Sequence, residues 1–223
     1  MRLLIGNKNY SSWSLRPWLL LSHLEIPFEE EKLSFNDPAF KARVARYSPV
    51  GQVPVLVDGD VAIWDSLAIL EYVAETFPER GVWPSDRAAR ARARSICAEM
   101  HAGFRALRNA MPMNCGLRFD WVPQDVQVQR DIARIVSSWT DCRARFGAGG
   151  PFLFGAFSAA DAFYAPVVRR FLGFAVKLPD VAAAYVATMD ALPAMRAWVK
   201  AGLAEHEFVE EDEPYRERQA VGG

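Results

Sequence analysis

The chain has 223 residues, is 51% hydrophobic and 24% charged, and carries a formal net charge of −1. That length buries one large core or two modest ones, and the near-neutral balance excludes the basic surface that nucleic acid or an anionic membrane would select. No apolar run reaches bilayer length, so neither nucleic acid nor membrane is an expected partner. Cys97, Cys115 and Cys142 are widely spaced with no Cys-x-x-Cys pair, which argues against a disulfide framework or structural zinc. His23, His101 and His206 are scattered, so no metal site is expected. Met1 to Gly6 runs into a strand-like pattern without signal-peptide architecture, and a cytoplasmic location is the expectation.

Leu3-Leu4-Ile5 reads as a buried strand, followed by a polar loop, Asn7 to Ser12. From Ser14 to about Leu24 the apolar spacing is helical, with Pro17 in the expected first turn, where a missing N–H costs little. Phe28 to Leu33 has edge-strand character, and Asn36-Asp37-Pro38 opens a short helix through Phe40, Val44 and Tyr47. Val55-Leu56-Val57 and Val61-Ala62-Ile63-Trp64, broken by Asp58-Gly59, form a hairpin signal. Pro54 stands at the front of the first run, where a proline is tolerated because it has no ladder N–H to give. Asp65-Ser66 then opens a helix to Phe77, a start suited to an anion. The order βαβαββα fits a small α/β unit.

Pro78 to Pro84 is the natural boundary, after which strand signals largely stop. Helices are expected from Ser85-Asp86 to about Ala110, from Pro123-Gln124 to Phe146, from Ser158 to near Gly173, and from near Asp180 and Pro193. Ser158-x-x-Asp161 resembles a capping box with Asp in the place of Glu. Arg87, Arg90 and Arg94 share one helix face, with Arg92 off it, as a solvated face or a dimer contact. The division expected is 1–80, a linker 81–84, an all-helical unit 85–215, and a disordered tail 216–223.

Four pieces in this order and spacing resemble the glutathione S-transferase family, serine-type and zeta-like: Ser11-Ser12-Trp13-Ser14-Leu15-Arg16, Val53-Pro54, Asp65-Ser66 and Ser158-x-x-Asp161. The resemblance covers nearly the whole chain. It implies a thioredoxin-like N-terminal domain followed by a helical bundle, glutathione as co-substrate, no metal, and a homodimer. It also implies a serine hydroxyl that favours the glutathione thiolate, with Ser11 first and Ser12 close behind. Both can alternatively be helix caps. By the same resemblance Val53 pairs main chain with glutathione, Pro54 holds that geometry, Gln52 reaches the glycyl end, and Asp65 and Ser66 hold the γ-glutamyl group. Asp65 has a plain cap role as its alternative. Trp13, where zeta-class relatives often have Cys, would wall the sulfur site, and its presence weakens a specific maleyl-isomerase reading. His101, Phe104, Met111 and Met113 are acceptor-pocket candidates, with core packing equally open. The activity implied is conjugation to a hydrophobic electrophile. The alternatives are a maleyl-acid isomerase, a peroxide or disulfide reductase, or a non-catalytic scaffold.

Overall fold

The computed structural model describes residues 1–219. Its first part is a four-stranded sheet in the order β2-β1-β3-β4, from β1 (Arg2–Ile5), β2 (Glu29–Lys32), β3 (Val55–Asp58) and β4 (Val61–Trp64). β1 runs parallel to β2 and antiparallel to β3, and β4 is antiparallel to β3. Asp58 faces Val61, so Gly59-Asp60 closes the hairpin, with Gly59 at φ 57°. Glycine takes that left-handed turn without a Cβ clash.

Alternation along β1 and β3 decides which helix lies on which face. Leu3, Ile5 and Leu56 point into one core with α1 (Ser12–His23) and α3 (Ser66–Thr76). Leu4 and Val55 point the other way, where Leu33 and Val44 close a small cluster under α2 (Phe40–Ala45). The order is the expected βαβαββα.

The remaining helices are α4 (Arg87–Ala102), α5 (Arg105–Ala110), α6 (Val126–Phe146), α7 (Ala159–Gly173), α8 (Asp180–Ala191), α9 (Pro193–Leu203) and a turn, α10 (Arg216–Gln219). The large core is continuous from Leu3 through Trp139 and Phe163 to Trp198, because α1 packs along α7 as well as on the sheet. The start of α1 is therefore wedged between sheet and bundle. Asp161 completes the capping box: Ser158 N–H donates to its Oδ2 at 2.9 Å, and Leu153 N–H donates to Oδ1 at 3.0 Å.

Three expectations need correction. The segment 85–110 is two helices, because Gly103 ends α4 and Phe104 takes a left-handed φ of 55°. Pro17 falls in the second turn of a helix that starts at Ser12, so it cannot donate to the Trp13 carbonyl. Arg94 stays on an exposed helix face, as expected, and there forks onto Glu71 of α3 at 2.8 Å through two nitrogens, while Arg92 pairs with Asp141 of α6. Arg216–Gln219, inside the segment read as a disordered tail, is helical, while 220–223 lie outside the described residues.

Candidate functional site

A cleft of about 830 Å³ opens where α1, the β3 entry and the start of α3 meet α4, α5 and α7. Ser11, Ser12, Gln52, Val53, Pro54 and the Asp65-Ser66 pair line it, and so do Trp13 and His101. Phe104 and Met111 do not. They are 8% and 0% exposed, as is Met113 at 1%, and belong to the core, since the break after α4 turns the Phe104 side chain inward.

Ser11 is the residue before α1, and its side chain makes no capping bond. Its N–H donates to Asn7 O at 2.8 Å, and its Oγ lies 2.7 Å from Ser14 Oγ. Ser12 N–H donates to Tyr10 O at 2.8 Å. Asn7 organises this loop, since its Oδ1 accepts from the Asn9 and Tyr10 N–H groups at 2.8 and 3.2 Å. Tyr10 also lines the cleft, yet burial and the Glu213 carboxylate, 2.5 Å from its hydroxyl, push the phenol up to about 12. That proton is committed to Glu213.

The Val53–Pro54 peptide is cis, and among the described residues none makes a backbone hydrogen bond with Val53. Asp65 has φ 75°, a region that non-glycine residues rarely hold. Its Oδ1 accepts from Leu67 N–H at 2.8 Å, while Oδ2 lies 3.2 Å from His101 Nε2 of α4. Cap and cleft contact therefore coexist in one side chain.

Behind Ser66 stands Arg16, 1% exposed, whose Nη1 donates to Ser66 Oγ at 3.3 Å. Its guanidinium lies 4.0 Å from the Trp13 ring and 4.1 Å from the Phe163 ring, as cation–π contacts favour. Burial, then the charges of Arg170 and Arg108, pull Arg16 down to about 9. Its buried Nε has no partner among the described residues. No ion pair is formed with Arg16 among the described residues, and the Asp65 carboxylate beside Ser66 is the negative charge that acts on it.

The far wall was not legible beforehand. Arg105 and Arg108 of α5 and Arg170 of α7 line it, with Asp212 beside them. Arg170 is 5% exposed; Nε donates to Met111 O at 2.7 Å, and Nη1 has no hydrogen-bond partner among the described residues. Burial, then Arg108, lowers Arg170 to about 10, and burial raises Asp212 to about 6. Arg108 also lies 5.3 Å from the Trp13 ring, so Trp13 stands between the two walls.

The acidic segment after α9 fastens the serine loop. Glu205 accepts from Lys8 N–H at 3.0 Å, Glu207 from Asn7 Nδ2 at 3.1 Å, and Glu213 from Asn114 Nδ2 at 3.0 Å. The cysteines offer no rival nucleophile, since burial pushes Cys97 well up and Cys115 and Cys142 to about 11. Among the described residues no group of His, Cys, Asp and Glu could hold a metal, and no helix is long and apolar enough to cross a membrane.

Family models match both halves: the glutathione S-transferase N-terminal domain over residues 10–76 and its C-terminal domain over 125–201. Together these spans exceed half of the chain. The chain belongs to the glutathione S-transferase family. It is similar to glutathione S-transferase 1 of Dianthus caryophyllus, 32% identical over 114 residues, 51% of this chain and 51% of that protein. It is also similar to a probable maleylacetoacetate isomerase of Caenorhabditis elegans, 34% identical over 99 residues, 44% of this chain and 45% of that protein. The chain's matches thus span about half the length of these transferase-family relatives. A solved glutathione transferase homologue from Burkholderia, with bound glutathione, superposes with TM-score 0.69 at 21% identity, over 92% of this chain and 98% of that one. At that identity the likeness concerns the transferase fold.

Proposed function

We propose that this chain is a glutathione-dependent enzyme that activates the glutathione thiol at Ser11 and delivers it to an electrophile held against the arginine wall. The observation that carries the reading is the convergence of Ser11, the unpaired main chain of Val53 and the Ser66–Arg16 pair on one cleft. Val53 N–H and C=O pair with the cysteinyl unit, as an edge strand takes a peptide. Ser66, with Arg16 behind it, holds the γ-glutamyl carboxylate. Asp65, steadied by Leu67 N–H, meets the amino end. Gln52 reaches the glycyl end.

The chemistry needs no base on the protein. An unperturbed thiol titrates near 8.5, and its proton leaves to solvent when a hydroxyl donates to the sulfur. A shift of roughly two units corresponds to about 2.7 kcal/mol, within reach of a charge-assisted hydrogen bond plus the start of α1. The two-domain division at 81–84, the homodimer and the cytoplasmic setting belong to this proposal.

A second reading concerns the acceptor. Arg105, Arg108 and Arg170 replace the apolar lining expected from Phe104 and Met111, and guanidinium groups bind carboxylates in a forked geometry. They favour an electrophile bearing carboxylate, the chemistry of a maleyl acid, over a neutral hydrophobic one. The similarity to a probable maleylacetoacetate isomerase agrees with it.

The test is calorimetric titration with glutathione, followed by initial rates on chloronitroarenes with and without a carboxylate and on a maleyl acid. Glutathione binding with faster turnover of the carboxylated acceptors is expected. Absence of binding at millimolar glutathione overturns the enzyme reading, and preference for the neutral arene overturns the acceptor reading.

A further inference from the structure

Ser14 lies on the first turn of α1, fully buried, with its hydroxyl between two partners. Gly6 N–H donates to Ser14 Oγ at 3.1 Å, and Ser11 Oγ lies 2.7 Å away on the cleft side. A hydroxyl carries one proton and two lone pairs. Gly6 occupies a lone pair of Ser14 with a donor that cannot reverse, so the direction of the Ser11–Ser14 bond is the only free choice. If Ser11 donates inward, its lone pairs face the cleft and repel an anion there. If Ser14 donates outward, the Ser11 proton is released to the cleft. An anionic sulfur selects the second arrangement.

We propose that Ser14 is a positioning residue that turns the Ser11 hydroxyl towards the sulfur. The chain of donors then runs from Gly6 N–H to Ser14 O–H, to Ser11 O–H, to the thiolate. Each bond polarises the next, so the terminal donor is stronger than a lone serine hydroxyl. No bond is made or broken within the chain: both serines keep their protons, and the thiol proton goes to solvent. Ser12 differs: its loop bond is that of its N–H to Tyr10 O at 2.8 Å, whereas the hydroxyl pair with Ser14 is made by Ser11. The inference rests on the reading of Ser11 as the thiolate partner, and gives that residue a physical advantage over its neighbour.

The experiment is an ultraviolet titration of the bound glutathione thiol in wild type, Ser14→Ala, Ser11→Ala and the double variant, with steady-state kinetics alongside. Ser14→Ala is expected to raise the thiol pKa by about one unit, a tenfold loss of thiolate at low pH. It should lower kcat with the KM for glutathione held, and have no further effect once Ser11 is alanine. Ser14→Cys, which keeps the volume and an acceptor for Gly6 but is a weak donor, should shift the thiol in the same direction and serves if the alanine variant does not fold. An unchanged thiol pKa in Ser14→Ala or Ser14→Cys, or an equal shift on the Ser11→Ala background, overturns the relay. A Ser11→Ala variant with wild-type thiol pKa instead overturns the reading on which the relay rests.

Discussion

The two walls of the cleft are built on opposite principles. The wall of Ser11, Val53, Pro54 and Ser66 is made of hydroxyls and main chain, with its one strong cation, Arg16, hidden behind Ser66. The wall of Arg105, Arg108 and Arg170 brings three guanidinium groups to the cleft, Arg105 exposed and Arg170 nearly buried, and the Asp212 carboxyl on the same cleft is pushed up to about 6 by burial. Main-chain recognition is specific to one peptide geometry. Guanidinium recognition is specific to a charge and a fork, and tolerates many carbon skeletons. Under the proposed function, that difference would let the thiol donor stay constant while the acceptor wall is rebuilt.

The largest effect should come from removing the buried cation of the acceptor wall. Arg170→Met keeps packing volume and should lower kcat/KM for a carboxylated acceptor by about a hundredfold, as loss of a buried charge partner does. The calorimetric affinity for glutathione should hold. Equal losses on both walls would break the separation. Ser66→Ala is the complementary cut: glutathione binding should weaken by about tenfold, the worth of one hydrogen bond to a charged group. The KM for the acceptor should stay put, which a two-substrate kinetic matrix would read.

The smallest effect is on pH. Asp212 titrates near 6 in the folded protein against 3.8 ordinarily. Between those values the folded state holds more proton than the unfolded, so the group's stabilising contribution is complete below about 3.8 and is lost as pH rises through about 6. Asp212→Asn should therefore gain stability over wild type by about 1 kcal/mol between about pH 4 and about pH 7, after allowance for solvent screening. Chemical denaturation across that range measures it. A gap that shrinks with pH would mean that Asp212 is held as a carboxylate by the arginines.

The contrast also explains what could be read in advance. Residues under backbone constraint leave local marks: Pro54 before a strand, Gly59 at φ 57° in the hairpin, and Ser158 with Asp161 at a helix start. The order of elements, and the gathering of Ser11, Val53, Pro54 and Ser66 along one cleft, could therefore be read from short stretches. Arg105 and Arg170 leave no such mark, because α5 and α7 meet only in the folded core. An arginine on a helix looks the same whether it faces water or a cleft. Phe104 and Met111 fall to the core, one of the two places left open for them, and the break at Gly103, where a continuous helix is expected from sequence, is what turns the chain there. The three glutamates that fasten the serine loop read only as an acidic tail, since their partners Lys8, Asn7 and Tyr10 are remote in sequence.

The central claim is that the serine wall, through Ser11, holds the sulfur as thiolate. Ultraviolet difference titration of bound glutathione in Ser11→Ala and Ser12→Ala, side by side, tests it most directly. The account predicts that Ser11→Ala returns the thiol towards its solution pKa while Ser12→Ala leaves it near the wild-type value. Loss of the thiolate in Ser12→Ala alone, with Ser11→Ala unchanged, would contradict it.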